Sequence, residues 1–186
     1  MIINTEWLKE KNAGNDLLAW FTDRFPNGGE LQSVLDQSCE DDRPANASWI
    51  LKYAGRNDSV YEAESIKARH FVFAGSIKIS GSIEISGLIN AGGGIEAGWG
   101  IEAGEGIKAG LGIEAGLGIE AGEGIKAGWG IEAGGGIEAG WGIKAGEDFC
   151  IFAGLRVKFS NWKIYALVSA KTKPVNLISG FWKDQP

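Results

Sequence analysis

Between Gly94 and Glu147 an ionisable side chain recurs at every sixth residue, in the order Glu96, Glu102, Lys108, Glu114, Glu120, Lys126, Glu132, Glu138, Lys144. Carboxylates and ammoniums repeated in this way hold counter-charges. They do not make a nucleophile and its base, which must sit within hydrogen-bond reach of each other. His70 is the sole histidine and has no evident partner in the sequence. Cys39 and Cys150 stand apart, outside any metal-type spacing, and read as free thiols of a reducing compartment. With no metal cluster and no phosphate-cradling loop, the sequence predicts no catalytic residue, no metal and no cofactor. The expected activity is binding, not catalysis.

Side chains at this spacing need a backbone that returns to the same place at short intervals. The stretch is nine uninterrupted copies of one hexapeptide, Gly-Ile-(Glu/Lys)-Ala-Gly-Xaa, and a fixed short period specifies a solenoid. Within it Glu-Glu-Lys recurs every 18 residues, or three hexads. A coil of three hexads, one per face, stacks like on like and gives a prism with two Glu faces and one Lys face. A coil of two hexads mixes the signs, as in Glu96, Lys108 and Glu120, which is electrostatically kinder but encloses a thin core. The match of period to coil favours the three-sided form, although duplication of an 18-residue unit leaves the same period.

Counting the isoleucine as first, the first position reads Phe71, Ile77, Ile83, Ile89 and every sixth residue to Ile143, then Phe149 and Leu155. The third position reads Phe73, Ile79, Ile85, Ala91 and every sixth residue to Ala145, then Ile151 and Val157. Both alternate with polar residues, so both are expected to face inward. Residues 71–159 thus predict a parallel β-helix of about five coils, on the order of 24 Å long at roughly 4.8 Å per layer. Glycine at the fourth and sixth positions suits corners, through positive φ and close backbone approach.

Residues 1–62 carry helical periodicity instead. Asn15 is a candidate cap for Leu17, Leu18, Trp20, Phe21 and Phe25, and Pro26-Asn27-Gly28-Gly29 ends that segment. A second segment runs from Glu30 to about Glu40, and a third starts at Pro44 and stops at Gly55. The fold class is therefore α+β, with a small N-terminal helical domain that caps the solenoid. Residues 63–70 form a junction, because Ile66 and Phe71 are one residue too close for the frame. Residues 160–186 form a C-terminal cap or dimerisation segment, apolar for its length. Trp162, Tyr165, Phe181 and Trp182 are its predicted oligomerisation residues.

The formal charge of −6 is unevenly spread. Residues 1–64 hold 12 acids and 6 bases, 94–147 hold 9 and 3, and 148–186 hold 2 and 6. Acidic surfaces repel phosphates, which argues against free nucleic acid as a direct partner. No run approaches the roughly 18 apolar residues of a membrane span, and Met1-Ile2-Ile3-Asn4 begins no signal-peptide pattern. The expectation is a soluble cytoplasmic protein without a membrane partner.

The repeat, with its Gly-Ser-Ile and Gly-Ile-Glu-Ala elements, resembles hexapeptide-repeat and polymer-forming, bactofilin-like β-helices. It departs from the left-handed hexapeptide pattern, in which a small residue lies two before the aliphatic one. That place here holds Gly93, Trp99, Glu105 or Leu111, and the small Ala lies two after. The bactofilin-like resemblance implies a structural protein that assembles end to end. Many hexapeptide proteins are acyltransferases, an activity that needs a catalytic histidine, and His70 is not placed for it. In physics rather than motif, the stacked carboxylates are similar to those of pentapeptide-repeat proteins that mimic DNA.

On the 18-residue frame one face carries Glu84, Glu102, Glu120 and Glu138, with Glu105 and Glu123 at its following corner. A second carries Glu96, Glu114 and Glu132, with Trp99 and Leu117 at its corner. The third carries Lys108, Lys126 and Lys144, with Leu111 and Trp129 beside them. Trp99, Trp129 and Trp141 share the variable fifth position with Glu, so they are expected to be exposed and are interface candidates. The nine glutamates and three tryptophans form the predicted partner surface. The hexads contain neither Asp nor Thr, which argues against calcium and ice binding. The functional expectation is a non-enzymatic inhibitor, encoded by a phage or mobile element, that shows DNA-like charge to a nucleic-acid-binding enzyme of CRISPR or restriction type. A homodimer through the tail is the further expectation.

Overall fold

Each hexad folds as a strand triplet followed by a three-residue corner in the computed structural model, which describes residues 1–184. The triplet sends Ile and Ala to one side and the charged residue to the other. From Ile95 to Ala145 the inward pair is at most 5 % exposed, and it belongs to one continuous core running from Ile66 to Ala170. After three hexads the next triplet pairs in parallel with the one a coil earlier, Ile101 with Ile119 and Ile107 with Ile125.

Three parallel sheets result, named here for their central side chains. The Glu120 sheet has seven strands, from Ile66–Ala68 to Phe181–Asp184. The Glu114 sheet also has seven, from Val60–Ala63 to Leu177–Ser179, and the Lys126 sheet has five, from Phe71–Phe73 to Ile143–Lys144. The chain is thus a small helical region followed by a three-sided parallel β-solenoid, the architecture the sequence predicts. It has about seven coils rather than five. The extra strands, Val60–Ala63 and Ile66–Ala68 at one end and Leu167–Ala170, Leu177–Ser179 and Phe181–Asp184 at the other, lie outside the regular frame and escape a count by six.

The frame also slips once inside the predicted range. Ile131 pairs with Ile151, where an unbroken frame would set Phe149. Two extra residues between Ile143 and Ile151 cause the slip. Ile151 and Ala153 are therefore the buried pair, while Phe149 and Leu155, expected inward, are exposed. Val157 is only half-buried. Phe149 stacks on Trp129 outside the solenoid, with ring centroids 5.7 Å apart.

Corners explain the glycines. A Cβ on Gly110, Gly122 or Gly128, at the fourth position, would stand 2.0–2.1 Å from the carbonyl oxygen of the glycine one coil earlier. A Cβ at the sixth position, on Gly100, Gly118 or Gly124, would meet the nearest atom at 3.5 Å, an ordinary contact. No glycine of the repeat has positive φ, so close backbone approach selects it, at the fourth position throughout and at the sixth only near the C-terminal end, where a Cβ on Gly136 would meet Leu167 O at 2.7 Å.

The helical region contains α1 (Thr5–Glu10), α2 (Asn15–Arg24), α3 (Leu31–Glu40) and α4 (Pro44–Ala54). Asn15 is the first helical residue of α2 and Gly14 takes the cap position. The side-chain cap falls instead at Asn4, whose Oδ1 accepts from Trp7 N at 2.8 Å. Pro44 opens α4 and Gly55 stops it, as expected, with φ of 78°. The helices pack beside the first strand of the Lys126 sheet. Its Phe71 and Phe73 face the solenoid core, while Val72 and Ala74 join the helical core. Gln32 on α3 covers the edge of that strand. Its Nε2 donates to Val72 O at 2.9 Å and its Oε1 accepts from Ala74 N at 3.0 Å. Both exposed ladder groups are thereby satisfied, which removes an edge for stray pairing.

The two kinds of corner glycine predict a clean contrast. Gly122→Ala should lower the thermal midpoint by several degrees, on the scale of about 1–3 kcal/mol for overpacking. Gly124→Ala should leave it nearly unchanged. Circular-dichroism melts of the two variants check this, and equal midpoints would contradict the corner account.

Candidate functional site: the charged ladders

The strand register decides where each charge stands. On the Glu120 sheet Glu84, Glu102, Glu120 and Glu138 are direct neighbours across four strands. On the Glu114 sheet Glu96, Glu114 and Glu132 align in the same way. Lys108, Lys126 and Lys144 align on the third sheet, continued toward the helices by Asn90. All of these Glu and Lys side chains are exposed, whereas Asn90 is buried and its Nδ2 donates to Ser48 Oγ on α4 at 3.0 Å.

Neighbouring strands are about 4.8 Å apart. Two like unit charges at that distance repel by about 0.9 kcal/mol in water, less at physiological salt. Each Glu ladder is relieved at its N-terminal end by a lysine one strand away. Lys67 Nζ lies 3.0 Å from Glu84 and Lys78 Nζ lies 3.5 Å from Glu96. Such exposed pairs contribute little to stability, but they do mark where the free charge begins. Among the described residues Glu102, Glu120, Glu138, Glu114 and Glu132 enter no ion pair.

Corner residues form ladders of their own through backbone bonds one coil apart. Leu117 N donates to Trp99 O at 3.0 Å, Glu123 N to Glu105 O at 3.0 Å, and Trp129 N to Leu111 O at 3.2 Å. Trp99 and Leu117 occupy the corner between the two Glu faces, 62 % and 56 % exposed. They form an apolar ridge with a carboxylate ladder on either side. Glu105 and Glu123 stand at the corner between the Glu120 and Lys126 faces. The other two tryptophans lie elsewhere. Trp129 is at the corner between the Lys126 and Glu114 faces, stacked on Phe149. Trp141 follows Glu123 on its corner, with Lys171 Nζ 5.8 Å from its ring centroid. The structure thus brings Trp99 together with both acidic ladders and sets Trp129 and Trp141 on separate edges of the prism.

His70 is committed to the join between helices and solenoid. Its Nδ1 accepts from Leu88 N at 3.0 Å and its Nε2 faces Asp42 Oδ1 at 2.9 Å, while Asp42 also pairs with Arg69 at 2.7 Å. Both ring nitrogens are occupied in a buried setting. Cys39 and Cys150 are free thiols, and burial pushes the Cys39 thiol up to about 11, which holds it protonated and unreactive at neutral pH.

The tail residues separate by role. Trp182, half-buried, packs against the end of the solenoid core. Trp162, also half-buried, lies beside Gly154, where an added Cβ would meet its ring at 2.9 Å. Tyr165, on the short helix α5 (Trp162–Tyr165), is 59 % exposed, and Phe181 is 36 % exposed with Lys163 Nζ 5.9 Å from its ring. Among the described residues no helix is long and apolar enough to cross a membrane.

The class defined by this geometry is a parallel β-solenoid carrying sorted charge, with a helical module at its N-terminal end. Residues 1–57 match the family model of the YdhT N-terminal domain, and the match stops just before the first solenoid strand. No curated protein and no solved structure matches the chain.

Like-charge stacking has a measurable consequence. Glu120→Gln, in the middle of its ladder, should raise the thermal midpoint by a few degrees at low ionic strength, since two repulsive neighbours disappear. Salt should raise the wild-type midpoint and shrink the difference. A variant less stable than wild type at low salt would contradict the stacking.

Proposed function

We propose that this chain is a non-enzymatic protein-binding rod whose two acidic faces occupy a cationic nucleic-acid groove on another protein. The observation that carries this reading is the register of the two Glu ladders on adjacent faces. Two ladders stepping by about 4.8 Å present roughly one carboxylate per 2.4 Å of rod axis. Duplex DNA carries about one phosphate per 1.7 Å of its axis, a similar linear density. The Lys face lies about six residues, or roughly 20 Å of chain, from each Glu face. That is beyond the Debye length of about 8 Å at physiological salt, so it leaves the acidic field intact. The Trp99–Leu117 ridge between the ladders adds an apolar anchor of the kind that concentrates binding energy. A nuclease of CRISPR or restriction type, opposed by an inhibitor from a phage or mobile element, is the setting in which such a mimic would act.

A second reading is a bactofilin-like structural protein that assembles end to end. It is supported by the terminal strands of the two seven-stranded sheets, each of which pairs on one side only. Light scattering separates the two readings. The mimic works as a discrete particle, monomer or tail-mediated dimer, whereas the structural reading requires filaments.

Pull-down from a bacterial lysate tests the mimic directly. The wild-type rod should capture a DNA-binding protein that is released by raised salt and whose DNA binding the rod inhibits. Glu102→Lys with Glu120→Lys should abolish the capture. Retention by the double variant, or capture indifferent to salt, would sink the mimic.

A further inference from the structure

The Lys126 sheet is the shortest of the three, with a neighbour at each end. At the N-terminal end α4 lies over it, held by the Ser48–Asn90 hydrogen bond. At the other end residues 172–176 cross it. Thr172 bridges to Gly142, Pro174 is buried, and Asn176 Nδ2 donates to Gly146 O at 3.3 Å. Against residues 172–176, and reaching back along the sheet to Leu88, is a cavity of ≈ 830 Å³, within the range of small-molecule sites.

Its floor is cationic, and its sides combine apolar residues with two carboxylates. Lys108, Lys126 and Lys144 rise from the floor, Lys173 stands on the wall, and none of the four enters an ion pair among the described residues. Leu88, Trp141, Pro174 and Val175 supply apolar lining, beside the polar Thr172 and Asn176. Glu123 and Glu147 also border the cavity, at the two corners that flank the sheet, so negative charge is kept off the floor itself. Burial, then Lys126 and then Lys52 on α4, all oppose the charge on Lys108 and lower its pKa. An anion on the floor would offset the repulsion between these stacked ammoniums.

We infer that this groove binds an organic polyphosphate of the nucleoside triphosphate class, with its phosphates along the Lys108–Lys126–Lys144 ladder and its aromatic ring against Trp141. Three ammoniums in a line at about 4.8 Å intervals suit a chain of phosphates better than a single anion. An exposed indole at the edge of that line offers the stacking face that nucleobases take. The site lies on the face opposite the Trp99–Leu117 ridge and stands independently of the mimic reading.

Titration calorimetry of the full chain with adenosine triphosphate and with inorganic triphosphate tests the site. Adenosine triphosphate should bind saturably at one equivalent, more tightly than inorganic triphosphate, and weaken as salt is raised. Lys126→Gln with Lys144→Gln should reduce its affinity at least tenfold while the thermal melt stays intact. Trp141→Ala should erase the preference over inorganic triphosphate. No saturable binding, or binding unmoved by the double lysine change, would overturn the site. Equal binding of the two probes to wild type would overturn the role of Trp141. Salt-sensitive self-association in place of ligand binding would show that the lysines receive a Glu ladder of a second copy, and would overturn the proposal.

Discussion

Backbone stacked on backbone at the corners is the constraint on which the rest of the molecule depends. A fourth-position glycine sits so close to the carbonyl of the coil below that no Cβ fits. Each coil must then copy the one beneath it, residue on residue. In a sheet with one buried face a slip of one residue would turn every side chain over. Here the Ile and Ala layers on the inside and the glycine contacts at the corners enforce the same register. A charge pattern in the sequence therefore becomes a charge pattern on the surface.

From that copying follows an electrostatic tension. A rod that copies itself every 18 residues stacks like charges wherever the repeat carries them. Lys67 and Lys78 relieve only the first glutamate of each ladder. The remaining carboxylates lie on two adjacent faces, exposed, with the Trp99–Leu117 ridge between them. The lysines lie on the third face, with α4 beyond one end of their ladder and residues 172–176 at the other. One repeat thus displays a broad acidic surface and a smaller basic one.

The regular part of this arrangement was readable because everything in it is local. An isoleucine at every sixth residue and a charge cycle of three hexads define strand, face and ladder with no knowledge of distant contacts. Where the chain stops repeating, reading by period failed. Phe149 kept the spacing but lost the register, because two extra residues before Ile151 moved the core pair. The outer coils were missed because Val60–Ala63 and Leu167–Ala170 pair correctly without the Ile-Ala-Gly signature. Gln32 on the edge of the Val72 strand and Ser48 on Asn90 join residues about forty positions apart, and nothing in their own neighbourhoods announces the contact. The lysine groove depends on residues 172–176 folding back beside the Lys126 sheet, as in the Thr172–Gly142 bridge, so its floor is legible in the sequence and its wall is not. The three tryptophans are exposed, as their position in the hexad predicts, and the 18-residue frame already separates Trp99 from Trp129; the stacking of Trp129 on Phe149 and the approach of Lys171 to Trp141 are visible only in the fold.

The central claim is that the chain closes one coil in three hexads and so sorts its charges by face. Spin labels test it most directly, in a protein whose Cys39 and Cys150 have been replaced by serine. Labels at positions 102 and 120 should show strong dipolar broadening, since Glu102 and Glu120 are direct neighbours in the sheet. Labels at 102 and 114 should show none of that strength, since those glutamates lie on different sheets. Strong broadening for the 102 and 114 pair, with little for 102 and 120, would mean a coil of two hexads and mixed ladders, and would contradict the account.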